Sequence, residues 1–86
     1  MKQFTYTVTD RLGIHARPAG LLAKTAKKYA GTSVTLTAKD KTVNLAQLMK
    51  LMALGVGQGT EITITVEGPA EEEACADLLA ILQENL

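Results

Sequence analysis

The sequence predicts an α+β fold: an open-faced β-sandwich in βαββαβα order, with a four-stranded antiparallel sheet and three helices on one face. Three observations predict it. Four segments alternate polar and apolar residues with period 2, so each strand buries one face only, as in antiparallel sheets. Three further segments space apolar residues at helical intervals. The 86 residues suffice for one modest core, so residues 1–86 are read as a single domain with no room for a second.

Each element follows in order. In residues 3–9, Phe4, Tyr6 and Val8 alternate with Gln3, Thr5, Thr7 and Thr9, which makes the first strand. Residues 16–30 set Ala19, Leu22, Ala23, Ala26 and Ala30 on one helical stripe for the core. At 100° per residue, Arg17, Leu21, Lys24 and Lys28 share the opposite side. Strands over 33–37 and 41–45 point Val34, Leu36, Val43 and Leu45 inward, and "AKDK" between them supplies a hairpin turn. The segment "AQLMKLMAL" makes a second helix of about two turns. After the turn "GVGQG", Ile62, Ile64 and Val66 face inward from a fourth strand. The last helix, in "EEEACADLLAILQENL", opens on Glu71, Glu72 and Glu73, where carboxylates suit the helix dipole. Its inward residues are Ala74, Cys75, Leu78, Ile81 and Leu82, with Pro69 allowed at its start.

Composition narrows the function. Nine basic and nine acidic residues cancel, and with no Trp, one Phe and two Tyr the chain has neither a basic field nor a stacking platform for nucleic acid. The lone Cys75 and lone His15 cannot supply a four-ligand zinc site, and one cysteine allows no internal disulfide, so no metal is expected and a reducing cytoplasm fits. The alternating N-terminus "MKQFTYTVTD" lacks the apolar block of a signal peptide, and no apolar run approaches a membrane span.

The chemistry concentrates in "GIHARPAG", residues 13–20. His15 stands just before a helix start, whose free N–H groups and partial positive charge attract anions. Pro18 in the first turn places the N-cap near Ala16, so the Ala16 and Arg17 amides face whatever His15 carries. A phosphoryl group on the imidazole would meet those amides, and the Arg17 guanidinium would neutralise its oxygens. On spacing alone, a solvated loop histidine beside a surface arginine is an equally open reading. In the short helix, Leu51 and Leu54 complete the core, while Leu48, Met49 and Met52 project elsewhere. They form either a partner surface, to which methionine adapts well, or a core contact under a loop. Lys24, Lys28 and Lys50 rim this patch or form an ordinary solvated face. Cys75 reads as a small core residue.

With His15, Arg17, Pro18 and the element order in hand, the sequence closely resembles the histidine-containing phosphocarrier protein (HPr) family of the bacterial phosphoenolpyruvate-dependent sugar phosphotransferase system. The likeness runs nearly end to end through "GIHARPAG", "KTVNLAQLM", "LGVGQGTEITI" and the acidic start of the last helix. It implies that His15 Nδ1 accepts a phosphoryl group from phosphorylated enzyme I and passes it to histidines of enzyme IIA proteins or domains. The carrier turns nothing over alone and needs no cofactor. Arg17 would stabilise the transferring group, and donor and acceptor would dock on Ala16, Arg17, Gly20, Leu21, Lys24, Lys28, Leu48, Met49 and Met52. A cytoplasmic monomer is implied. A paralogue serving a nitrogen-related or other regulatory phosphotransferase chain is the alternative. A split-βαβ binding module without phosphotransfer is a third class, and the absence of a CxxC pair argues against a metal chaperone.

One departure matters. Many relatives carry a regulatory serine before the short helix, and Gln47 occupies that position here. Ser33 is the only serine, and no hydroxyl residue lies between Thr42 and Thr60, so serine-linked control at this site is chemically impossible. Ala70 also stands where many relatives have an acidic helix cap.

Overall fold

The computed structural model describes residues 1–29 and 31–86. Its elements run β1 (Lys2–Thr7), α1 (Ala16–Lys28), β2 (Ser33–Ala38), β3 (Lys41–Asn44), α2 (Leu48–Ala53), β4 (Glu61–Glu67) and α3 (Glu71–Asn85). The four strands form one antiparallel sheet in the order β1-β4-β2-β3. The βαββαβα order and the open-faced α+β architecture are therefore as the alternation of residues predicts.

Register explains the two faces. Phe4 lies opposite Ile64, Ile64 opposite Leu36 and Leu36 opposite Val43, one apolar row across all four strands. On the other face the matching row is Thr5, Thr63, Thr37 and Thr42, and the last two share a 2.8 Å hydrogen bond between hydroxyls. Because strand side chains alternate, a slip of one residue would trade the apolar row for the threonine row, so burial fixes the register. The β2–β3 turn places Lys39 at φ 52° and Asp40 at φ 65°, the conformation whose twist suits a two-residue hairpin.

The helices cover the apolar face. Leu22 and Ala26 of α1, Leu51 of α2 and Leu78 and Leu82 of α3 join Leu36, Ile62, Ile64 and Val66 in one core, each fully or almost fully buried. Burial of a leucine side chain contributes roughly 1.5–3 kcal/mol, so these positions are what hold α1 and α3 against the sheet. Cys75 and Ile81 are half-buried and pack against that core. Ala30, assigned to the α1 stripe from sequence, lies outside the described residues.

Several boundaries shift from the sequence reading, for identifiable reasons. β1 ends at Thr7 although Val8 is buried, because Val8 bonds onward to the turn before β4, donating to Thr60 O and accepting from Gly59 N. β3 ends at Asn44, and Leu45 N donates to Val34 O just beyond it. The N-cap of α1 is His15, not Ala16. Pro18 thus occupies the third helical position, which it tolerates because amides throughout the first turn have no intrahelical acceptor. Pro69 precedes the α3 cap, Ala70, and stands outside the helix. Its turn forms first, closed by a bond from Glu71 N to Gly68 O.

Candidate functional site

The site is built on the loop joining β1 to α1. Asp10 organises it: its Oδ1 accepts from Leu12 N at 2.8 Å and its carbonyl from Gly13 N at 3.0 Å. Gly13 adopts φ 66°, and a Cβ there would lie 2.2 Å from Val56 O, so only glycine lets the loop approach the 55–57 segment this closely. Ile14 is buried and its N–H donates to that same Val56 O at 3.0 Å. Two consecutive residues are thereby pinned immediately before the histidine.

His15 is half-buried at the N-cap of α1, in extended backbone at φ −111° and ψ −175°, and its side chain makes no capping hydrogen bond. The imidazole therefore remains available for chemistry while its carbonyl starts the helix by accepting from Ala19 N at 2.9 Å. The amides of Ala16 and Arg17 precede that first turn bond, and no acidic residue occupies the turn. Arg17 is exposed, and among the described residues no carboxylate lies within ion-pair distance of its guanidinium. An open depression of about 380 Å³ is lined by Asp10, His15, Arg17, Pro18, Glu84 and Asn85. An imidazole, a free guanidinium and unpartnered helical amides around one open space form a receptor for an oxyanion attached to the ring.

Beside this site lies an apolar surface. α1 and α2 pack against each other, and Leu21 of α1 with Leu48, Met49 and Met52 of α2 remain exposed, Met49 to 78%. Leu51 is fully buried, and Leu54 packs partly buried against the core. Of the other residues assigned to a partner surface, Ala16 and Lys24 are exposed and Gly20 is half-buried. Lys28 is also exposed, but its Nζ lies 3.7 Å from Asp77 on α3 and 5.5 Å above the Tyr29 ring, about 18 Å along the helix axis from Ala16. Gln47 is the exposed N-cap of α2.

Four residues at the site had not been singled out from sequence. Asp10, Glu84 and Asn85 line the depression, the last two brought there by α3 from about seventy residues away, a placement with no local signal. Leu12 is 72% exposed in the same loop, and its signal was a lone large apolar residue in a turn otherwise polar. Among the described residues no cluster of His, Cys, Asp and Glu could hold a metal ion, and no helix is long and apolar enough to cross a membrane.

Comparison with known proteins agrees with this geometry. Residues 2–84 match the family model described as the PTS HPr component phosphorylation site. The phosphocarrier protein HPr of Mycoplasma capricolum is 42% identical over 74 residues, 86% of this chain and 82% of that protein. The solved structure of a mycoplasma histidine-containing phosphocarrier protein superposes with a TM-score of 0.93 at 36% identity, covering 96% of this chain and 93% of the other. Crh of Bacillus subtilis, solved as a dimer with a swapped domain, is 37% identical over 100% of this chain and 98% of its own, with a TM-score of 0.75. The chain, with its histidine at an uncapped helix start, belongs to the HPr family of phosphocarrier proteins of the phosphotransferase system.

Proposed function

We propose that His15 Nδ1 is the phosphate-bearing atom of this carrier, loaded by phosphorylated enzyme I and discharged to histidines of enzyme IIA proteins or domains. The observation that carries this reading is the N-cap geometry of His15, whose ring is engaged in no cap while the Ala16 and Arg17 amides stand open beside it. In the loading step the Nδ1 lone pair attacks phosphorus, the N–P bond to the donor histidine breaks, and the donor imidazole leaves with the electron pair. The phosphoryl oxygens then meet the two amides and the Arg17 guanidinium, so charge stabilisation and positioning do most of the catalytic work. The unfavourable neighbours are the Asp10 and Glu84 carboxylates lining the same depression, which Arg17 must outweigh.

Donor and acceptor dock in turn on the surface formed by Ala16, Arg17, Gly20, Leu21, Lys24, Leu48, Met49 and Met52, with Lys28 at its far rim. The protein works in the cytoplasm as a single domain and a monomer, a co-substrate of its partners without a catalytic turnover of its own. Gln47 gives it no serine switch.

The test incubates the protein with enzyme I, magnesium and phosphoenolpyruvate and measures acid-labile phosphate by mass. The wild type gains one phosphoryl group and His15→Ala gains none. Equal labelling of the two, or no labelling of the wild type, overturns the proposal.

A further inference from the structure

Leu12 is not on the α1–α2 surface, yet it is 72% exposed on a loop whose backbone is fixed on either side. Its own N–H is held by Asp10 Oδ1, the next residue's N–H by Asp10 O, and Ile14 by Val56 O. The side chain is thus presented outward by a rigid turn. Three residues separate it from His15, so their Cα atoms are at most about 10 Å apart. A protein face covering roughly 600–800 Å², the span from weak to standard interfaces, has a radius of about 14–16 Å. Any protein that reaches the His15 imidazole therefore covers Leu12 as well, and does so near the centre of the contact, where buried apolar side chains contribute most.

We propose that Leu12 is a docking anchor for the protein that phosphorylates His15, seated in an apolar pocket on that partner. The inference rests on the carrier reading above. Two features select the donor over the acceptors. A branched leucine on a pinned turn presents one shape, which suits a single constant partner, whereas Met49 and Met52 are flexible side chains that adapt to several. Arg11, also exposed, stands directly beside Leu12, and with Arg17 it borders the anchor with positive charge. The complementary surface is an apolar pocket with a carboxylate rim.

The experiment compares wild type, Leu12→Ser and Leu12→Met as substrates of enzyme I over a range of carrier concentrations. Leu12→Ser raises KM for the carrier about tenfold with kcat nearly unchanged, the size of one interface hot spot, and Leu12→Met restores most of the affinity. Labelling of His15 by phosphoramidate, a small donor that needs no docking, is equal in all three, as is KM for transfer onward to an enzyme IIA. An unchanged KM for enzyme I overturns the anchor, and so does an equal rise in KM for enzyme IIA, which would make Leu12 a shared contact. A loss of labelling by phosphoramidate in Leu12→Ser also overturns it, by showing damage to the site itself. If wild type takes phosphate from neither donor, the carrier reading fails first and takes the anchor with it.

Discussion

α1 and α3 begin in opposite electrostatic company. At α1 the cap is an imidazole that makes no capping bond, the first turn holds no acidic residue, and the Arg17 guanidinium beside it has no carboxylate partner among the described residues. At α3 the first turn holds Glu71, Glu72 and Glu73. Glu71 accepts from Gly68 N at 3.3 Å and pairs with the Met1 ammonium at 3.0 Å, Lys2 reaches Glu72 at 3.7 Å, and Ala70 N donates to Thr32 Oγ1 at 3.2 Å. Each start borders an open depression, about 380 Å³ at α1 and about 320 Å³ at α3, but only the second has filled its own positive end with carboxylates. Space does not distinguish a receptor from a finished helix cap. What distinguishes them is whether the chain supplies its own anions.

The open end must be held by something other than side-chain pairing, and the Gly13 contact with the 55–57 segment is the strongest candidate. Gly13→Ala combines a positive φ with a Cβ 2.2 Å from Val56 O, so the loop or its neighbour must move. The expected loss is about 3 kcal/mol in urea unfolding. Gly20, which has open space around an added Cβ in the interior of α1, supplies the contrast: Gly20→Ala is expected to gain about 0.5–1 kcal/mol. Loss of less than 1 kcal/mol in Gly13→Ala would show that the loop yields, and that Val56 does not hold the α1 start.

A smaller change converts one helix start into the other. Ala16→Glu places a carboxylate in the first turn of α1, where it competes with a phosphoryl group for the same amides. Stability rises by about 0.5 kcal/mol through the dipole, while loading of His15 slows about tenfold, or roughly 1.4 kcal/mol of activation free energy. The two effects point in opposite directions, which thermal unfolding and initial phosphorylation rates resolve together. If loading keeps its wild-type rate, the α1 amides are not the phosphate's partners.

Much of this contrast was legible in the sequence. The acidic run at 71–73 and its absence after His15 are visible by inspection, and the order of elements follows from the alternation of Phe4, Tyr6, Val34, Leu36, Ile62, Ile64 and Val66. The cap position of α1 was misplaced by one residue because proline is tolerated across the first turn and so marks a helix start only loosely. Asp10 and Glu84 escaped notice because their nearness to His15 is created by α3 packing on the sheet, and periodicity reports which face a residue occupies, not which distant segment it meets. Leu12 escaped for the opposite reason: its neighbours are local, but their effect is carried by backbone hydrogen bonds that any residue type could make. The fates of Leu48, Met49 and Met52 were left open between core and surface, and their exposure is decided by Leu51 filling the space beneath α2.

The weakest expected effect probes the closed end. Glu71 accepts first from the Met1 ammonium and then from Gly68 N–H, and these bonds hold its carboxyl below the usual carboxylate range. A carboxyl whose folded pKa is depressed stabilises the fold above its unfolded value near 4.5, and that contribution disappears as the pH falls through the folded value. Glu71→Gln removes the charge, so the variant unfolds at slightly lower urea than wild type at neutral pH, and the gap closes as the solution is acidified to about pH 3. The gap is small because both partners face solvent, and added salt shrinks it further. A difference that persists unchanged in acid would assign Glu71's effect to packing or to its neutral hydrogen bonds. Loading of His15 stays at the wild-type rate throughout, since the carboxylates of α3 complete that helix's own start and take no part at the start of α1.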